Sequence, residues 1–207
     1  MDKKEHIIQK ATELFSEWGF DNTSIREISQ KANVNVAMVN YYFGSKIKLF
    51  ESIIEYKSIY LKTKLEELLA NTSLNEMDKI NVIIEEYTTK ILSNPHFHRV
   101  MHQELLLNTR PEMIAIIKKL FAKNFQIIKG ILEDGMKKDI FRRVDPALII
   151  STLFGTINHF MQNTILFDLE DAGATDFQND ETLSKRVVNH LQQLMQAYLL
   201  KDNKTKE

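Results

Sequence analysis

A group of amide, phenol and small apolar side chains lies in residues 33–46, NVNVAMVNYYFGSK, which carry no charge before Lys46. Amides suit the edges of bases, small apolar groups suit thymine methyls, and tyrosine hydroxyls suit phosphate oxygens. A lysine in the first turn of a helix, beside free backbone N–H groups, also favours a phosphate. The stretch therefore predicts contacts with double-stranded DNA. The alternative is that the tyrosine pair and Phe43 form the packed corner of a helical core.

The charges around this stretch support DNA binding weakly. Four basic residues and one acidic residue lie in 22–48, namely Arg26, Lys31, Lys46, Lys48 and Glu27. The whole chain of 207 residues has a formal net charge of -1 and a pI of about 6.6. Because the total charge gives no indication of a nucleic-acid partner, the hypothesis depends on the local arrangement.

Other chemistries find less support in the residue types. The chain has no cysteine, which excludes disulfides and thiolate metal ligands. His96, His98 and His102 lie near Glu104, and two of these histidines are four residues apart, but no residue that would orient their imidazoles is evident. We find no glycine-rich phosphate loop, nucleophile elbow or paired-carboxylate motif. We therefore predict no enzyme, no cofactor and no metal site.

The spacing of apolar residues favours an all-α protein of about nine helices. The 6 glycines and 3 prolines are too few turn signals for a many-stranded sheet. Pro95, Pro111 and Pro146 each stand where a helix can begin, since the missing proline N–H is not needed in a first turn. Helices in the middle of the chain are predicted over about 74–92, 95–107 and 111–137.

The N-terminal helices predict a helix-turn-helix unit. Ser24 followed by Glu27 fits a capping box at the start of the second helix, which ends after Ala32. A short third helix is predicted at about 36–42. In such a unit the second of the two paired helices enters the major groove while its neighbours contact phosphates.

Four motifs mark this part of the chain. They are A-x-x-L-F-x-x-x-G-F at 11–20, T-S-I-R-E-I at 23–28, A-N-V at 32–34 and Y-Y-F-G-S-K at 41–46. Together they resemble the N-terminal domain of the tetracycline-repressor (TetR) family of bacterial transcriptional regulators. The resemblance implies an N-terminal three-helix helix-turn-helix DNA-binding domain at 1–61 and a larger C-terminal helical ligand-binding and dimerisation domain at 62–207.

The resemblance also implies which residues contact DNA. Phosphate contacts are expected from Ser24, Tyr41, Tyr42 and Lys46, with Thr23 able to act like Ser24, and base-edge contacts from Arg26, Val36, Ala37 and Met38. Two positions depart from the family pattern. Val36 stands where many members carry lysine or glutamine, and Asn40 where a tyrosine is usual. Asn35 and Asn40 are then candidates for adenine-edge or phosphate contacts.

The C-terminal part contains the expected dimer interface and ligand site. Residues 146–167 carry no Asp, Glu, Lys or Arg but many polar side chains, which favours a buried or interfacial helix over a membrane span. The acidic stretch 168–180 is predicted to be an exposed loop. The predicted interface consists of Phe154, Ile157, Met161, Val187, Leu191, Leu194 and Tyr198. The predicted ligand-binding residues are Tyr87, His98, His102, Phe121, Phe125, Asn158 and Met161.

The function implied is that of a homodimeric repressor, which binds a palindromic operator and is released by a small-molecule effector. The N-terminus has scattered charges and no apolar signal core, so we expect a cytoplasmic protein without a membrane partner. The alternative is a helical ligand-binding or enzymatic bundle whose N-terminal hairpin is only structural. Salt-dependent binding to promoter DNA is required by the first function alone.

Overall fold

The computed structural model describes residues 2–162 and 181–201, and nine helices account for most of them. In chain order they are α1 (Lys3–Trp18), α2 (Ile25–Lys31), α3 (Val36–Phe43), α4 (Lys46–Ala70), α5 (Glu76–Ser93), α6 (Pro95–Leu107), α7 (Pro111–Lys137), α8 (Pro146–Gln162) and α9 (Glu181–Leu199). Within these described residues, extended backbone pairs in one isolated bridge between Phe141 and Leu200. The prediction of an all-α fold is confirmed.

Local sequence signals explain several helix starts. Pro95, Pro111 and Pro146 are the first residues of α6, α7 and α8, as predicted, and α6 and α7 have the predicted bounds. Asp145 caps α8, since its Oδ1 accepts the N–H of Ala147 at 2.8 Å. The end of the predicted helix beyond residue 162 and the predicted loop at 168–180 lie outside the described residues.

Two other boundaries show how caps and glycine act. α5 begins at Glu76 and not at about residue 74, because the Oδ1 of Asn75 accepts the N–H of Asp78 at 2.9 Å and so caps the helix there. α1 ends before Gly19, whose φ of 82° is in a region that side-chain-bearing residues rarely adopt.

The helices form two compact units. Unit 1 contains α1–α3, α4 as far as Tyr60, α6, and α7 as far as Ala122. Unit 2 contains the rest of α4 and α7 together with α5, α8 and α9. The first division falls close to the predicted boundary at residue 61, but α6 and the start of α7 pack with the N-terminal helices. The functional assignment of 1–61 and 62–207 stays a prediction.

Unit 1 has a core to which six helices contribute. The buried side chains of α1–α4 include Phe15, Ile28 and Phe50, and α6 adds Phe97 and other apolar residues. Burying a side chain of this kind contributes roughly 1.5–3 kcal/mol. Because α6 packs directly against α1, the helix-turn-helix is supported partly by residues that are distant in the sequence.

Unit 2 has a separate core between α4, α5, α7, α8 and α9. Leu65, Ile80, Ile128, Leu153 and Leu191 are among its fully or nearly fully buried side chains. α5 packs against both α8 and α9. In the described part of the chain, no helix combines the length and the apolar character needed to cross a membrane.

Candidate nucleic-acid interface

The start of α2 is fixed by a complete capping box. The Oγ of Ser24 accepts the N–H of Glu27 at 3.2 Å, and the Oε2 of Glu27 accepts the N–H of Ser24 at 2.7 Å. This backbone N–H, together with the Ser24 hydroxyl, lowers the pKa of the Glu27 carboxyl. The predicted capping box is confirmed, and two N–H groups at the start of α2 are thereby satisfied.

The turn between α2 and α3 is held by its own backbone. Asn33 has a left-handed φ of 51°, and the N–H of Val34 donates to the carbonyl of Ser29 at 2.9 Å. Asn35 caps α3, because its Oδ1 accepts the N–H of Met38 at 2.7 Å. The cap uses the oxygen of the Asn35 amide, on a side chain that is exposed.

The outward face of α3 carries the predicted recognition residues. Val39 and Phe43 are buried in the core of unit 1, whereas Tyr41 is 85% exposed. Val36, Ala37 and Asn40 are exposed beside it, as the helical period requires. Met38 and Tyr42 are half-buried at the edges of this face. A compact helix thus presents a narrow surface of amide, methyl and phenol groups, which is the chemistry that the major groove accepts.

One predicted phosphate contact needs correction, that of Thr23. Thr23 is completely buried, and its hydroxyl donates to the carbonyl of Gly19 at 2.8 Å, with the carbonyl of Leu14 3.3 Å away. Its side chain therefore holds the turn between α1 and α2 and does not lie on the outer surface.

Lys46 also acts inside the unit. Its Nζ donates to the carbonyls of Phe20 at 2.6 Å and Thr23 at 2.8 Å, and it lies 4.3 Å from the centroid of the Phe20 ring. Burial lowers the pKa of the Lys46 ammonium. In the free chain its hydrogen bonds are made to the α1–α2 turn, and its predicted phosphate contact stays a prediction.

The remaining predicted residues of α2 lie on the surface, and the fold places a further basic residue near the end of α3. Ser24 and Arg26 are exposed. Lys4, at the start of α1, has its Nζ 6.0 Å from the ring centroid of Phe43, the last residue of α3. The Lys-Lys pair at the N-terminus was the available sequence signal, but only the fold brings it to the end of α3.

The predicted ligand residues are divided between the two units. Tyr87, Phe125 and Asn158 lie in unit 2, while His98, His102 and Phe121 lie in unit 1. The side chain of Met161 is outside the described residues. In unit 1, His96 Nδ1 lies 3.0 Å from the Ser16 hydroxyl, and within the residues that the structure describes no three potential ligands form a metal site.

Tyr87 is buried in the core of unit 2. Its ring meets that of Phe154 edge-on with centroids 4.6 Å apart. The buried polar atoms of unit 2 that have no hydrogen-bond partner include Tyr87 Oη, Thr88 Oγ1 and Asn124 Oδ1. Asn124 approaches the Tyr87 hydroxyl without the geometry of a hydrogen bond, and burial raises the pKa of this phenol. Tyr87 was named from the sequence as a ligand-binding residue, which stays a prediction, and Thr88 and Asn124 were not singled out because they look like ordinary helix residues.

The predicted interface residues divide into buried and exposed sets. Ile157, Val187 and Leu191 are buried in the core of unit 2, so their side chains are already covered within the chain. Leu194 and Tyr198 are 38% and 52% exposed. Phe154 packs on Tyr87 instead. The exposed pair belongs to an open groove of about 560 Å³ lined by Leu148, Ile149, Ser151, Thr152, Leu194, Met195 and Tyr198.

A capped helix-turn-helix in unit 1 and a second helical unit define a DNA-binding regulator of the helix-turn-helix class. Residues 7–53 match the family described as bacterial regulatory proteins, tetR family, and residues 57–172 match the one described as YsiA-like protein, C-terminal region. The chain belongs to the TetR family of transcriptional regulators. The resemblance seen in the sequence is thereby confirmed.

Three similar proteins illustrate the family. The probable HTH-type transcriptional regulator YttP of Bacillus subtilis is 33% identical over 140 residues, 65% of each chain. The HTH-type transcriptional repressor NicS of Pseudomonas putida is 28% identical, over 83% of this chain and 84% of NicS. The structure of FadR from Bacillus subtilis in complex with stearoyl-CoA has a TM-score of 0.70 at 22% identity, covering 90% and 96% of the two chains. These relatives are regulators and not enzymes, which argues against the enzymatic alternative.

Proposed function

We propose that this chain is a homodimeric repressor that binds a palindromic operator through α3 and is released by a small molecule. The outward face of α3 carries this proposal. Its exposed residues Val36, Ala37, Asn40 and Tyr41 have no role in the core, while the caps at Ser24 and Asn35 fix the helix from which they project. Preorganised groups of this kind bind with less loss of conformational entropy.

The DNA part is tested with the duplex upstream of the protein's own gene, in which an inverted repeat would be the operator. Tyr41→Ala removes a side chain that is 85% exposed, so folding should not change. We expect affinity for operator and for nonspecific DNA to fall together, by about fivefold to tenfold, because a phosphate contact reads no base. The matched control is Tyr56→Ala, which removes an exposed tyrosine from α4. Operator affinity equal to wild type in the Tyr41 variant would contradict the proposed role of α3.

Arg26 is proposed to read bases from α2. Arg26→Ala should reduce the preference for operator over nonspecific DNA, by about 1–3 kcal/mol if the contact is bidentate. Fluorescence anisotropy on both duplexes at several salt concentrations measures this ratio. Equal loss on both duplexes would assign Arg26 to a phosphate.

A second copy of the chain is proposed to cover the groove on α8 and α9. Leu148 is 66% exposed there, beside Leu194 and Tyr198, and an apolar surface of this kind is unfavourable in water. A two-fold interface between identical surfaces also suits a palindromic operator.

Leu194→Glu should give monomers in sedimentation velocity, with operator affinity strongly reduced. Leu106→Glu, at a 71% exposed site on α6, is the matched control. Leu191 is unsuitable for this test because it is fully buried in the core. A dimer that persists in the Leu194 variant, or a monomeric wild type at micromolar concentration, would contradict the proposed interface.

The effector site is proposed around Tyr87 in unit 2. Hydroxyl and amide groups without partners lie there among apolar side chains, which suits a ligand with an apolar body and a polar group. Stearoyl-CoA, the ligand of the FadR complex, is a reasonable first probe together with shorter acyl-CoAs. A ligand that binds here should lower operator affinity, and Tyr87→Phe should weaken that response while Tyr56→Phe should not. An unchanged response in Tyr87→Phe would exclude the hydroxyl from the site.

A further inference from the structure

Arg110, in the turn between α6 and α7, joins two distant parts of unit 1. Its Nη1 donates to Glu104 Oε2 at 2.7 Å. On its other side its Nε donates to Asp21 Oδ1 at 3.1 Å, and its Nη2 to Asp21 Oδ2. Asp21 lies in the turn that connects α1 to α2. A single guanidinium therefore links the end of α6 to the start of the helix-turn-helix.

The two carboxylates differ in their surroundings. Glu104 is only 3% exposed, so it depends on Arg110 to balance its charge, and loss of that partner would be strongly unfavourable. Asp21 has a side chain that is 71% exposed, and an exposed ion pair contributes little to stability. Glu104 is thus the fixed end of the network, and Asp21 is the end that it positions.

The ring of Phe20 is held by two cations. The Arg110 guanidinium carbon lies 5.4 Å from the ring centroid and the Lys46 Nζ lies 4.3 Å from it. Lys46 also donates to the carbonyls of Phe20 and Thr23. The next residue is Ser24, the cap of α2. One cation from α4 and one from the α6–α7 turn therefore contact the turn that precedes α2.

We propose that Arg110 is a positioning residue for DNA binding, which fixes the orientation of α2 and α3 by anchoring Asp21 and Phe20 to the buried Glu104. The inference rests on the proposed DNA-binding function. It makes the competence of the helix-turn-helix depend on the α6–α7 turn, which lies more than fifty residues beyond the N-terminal family match at 7–53. Arg110 itself makes no DNA contact in this account.

Two substitutions test the network without leaving Glu104 unpaired. Arg110→Lys keeps a cation beside Glu104 but cannot form the planar fork to Asp21. Asp21→Asn removes one exposed carboxylate. The matched control is Asp139→Asn, which removes another exposed aspartate from an ion pair, with Lys201 in unit 2. Each variant is measured for operator affinity, for its salt dependence, and for amide hydrogen exchange of α2 in the free protein.

We expect both Arg110→Lys and Asp21→Asn to lower operator affinity by about tenfold and to speed exchange in α2, while the control changes neither. Removing a negative charge near DNA would by itself raise affinity, so a decrease in Asp21→Asn indicates positioning. The slope of log affinity against log salt should stay unchanged in Arg110→Lys. Effects of the two variants should also be non-additive in the double variant, because they break the same link.

Several outcomes would overturn the proposal. These are wild-type operator affinity in both variants, faster exchange in α2 with unchanged affinity, or effects equal to those of the control. An Arg110→Ala variant that stays folded but loses about 0.9 from the salt slope would make Arg110 a direct phosphate contact. A wild-type protein that binds no operator would instead overturn the proposed function, and exchange in α2 would still decide whether Arg110 positions that helix.

Discussion

The two units differ in whether the polar side chains discussed above are hydrogen bonded. In unit 1 the buried Thr23 and Glu104 and the half-buried Lys46 are all hydrogen bonded, and together they hold the turn in front of α2. In unit 2, Tyr87, Thr88 and Asn124 each have a buried polar atom without a partner. An unsatisfied buried group costs about 1–3 kcal/mol. Unit 1 therefore uses these polar groups for rigidity, whereas unit 2 retains unsatisfied polar groups, and those around Tyr87 are the ones proposed to bind the effector.

Among the changes that test this comparison, Lys46→Met is expected to have the largest effect on the stability of unit 1. The change keeps an aliphatic side chain but leaves the carbonyls of Phe20 and Thr23 without their charged donor. Unit 1 should lose about 2–4 kcal/mol of stability, since hydrogen bonds to charged groups contribute about 1.5–3 kcal/mol each. Urea unfolding can be followed by the fluorescence of Trp18, the one tryptophan of the chain.

Lys48→Met is the control for this experiment, because Lys48 is exposed and its pair with Glu51 at 2.7 Å lies on the surface of one helix. That change should stay within about 0.5 kcal/mol. Equal destabilisation by the two variants would mean that Lys46 does not hold the turn.

Lowering the pH is expected to reduce the stability of unit 1 by a somewhat smaller amount. Burial, with a smaller effect of the nearby Lys57 charge, lowers the pKa of His98 to about 4. The unfolded chain, with a histidine pKa of about 6.5, therefore binds more protons between these values, so stability is present above pH 6.5 and is lost as the pH falls towards 4. Unit 1 should lose about 2–3 kcal/mol over this window.

The measurement is urea unfolding at several pH values, with Trp18 as the reporter. His98→Gln should remove this part of the pH dependence, leaving the contribution of the carboxylates. If wild type and variant had the same slope between pH 4 and 6.5, His98 would be protonated as easily in the folded protein as in the unfolded chain.

The sequence predicted those parts of unit 1 that depend on neighbours along the chain. The Ser24–Glu27 capping box and the proline starts at Pro95 and Pro111 follow from residues a few positions apart. The ion pair between Asp21 and Arg110 joins residues 89 positions apart, so no local sequence pattern predicts it. Lys46 shows the same limit, because its contacts with the carbonyls of Phe20 and Thr23 join residues more than twenty positions apart.

The candidate sites of unit 2 were predicted less completely for a related reason. Aromatic residues such as Tyr87 indicate a core or a cavity equally well, and only the packing reveals which polar atoms lack partners. For the interface, the apolar face of α9 that the sequence shows is wider than the part of that face that is exposed, because Val187 and Leu191 are buried. The helical period predicts which face of α9 is apolar. How much of that face is covered within the chain depends on the packing of α5 against it, which the sequence of α9 does not specify.

The comparison between the units rests most directly on two threonines that are both completely buried, Thr23 in unit 1 and Thr88 in unit 2. Valine has nearly the shape of threonine, so Thr→Val removes a hydroxyl without leaving a cavity. The Thr23 hydroxyl donates at 2.8 Å to Gly19, whereas the Thr88 hydroxyl has no partner. Hydrogen exchange in increasing urea measures the stability of each unit separately.

The account predicts that Thr23→Val destabilises unit 1 by about 1–2 kcal/mol, and that Thr88→Val leaves unit 2 unchanged or stabilises it by up to about 1 kcal/mol. The same Thr88 variant should respond less to any effector that satisfies its hydroxyl. A destabilisation of unit 2 by Thr88→Val as large as that of unit 1 by Thr23→Val would show that the hydroxyl of Thr88 is already satisfied within the chain, and would contradict the difference between the units.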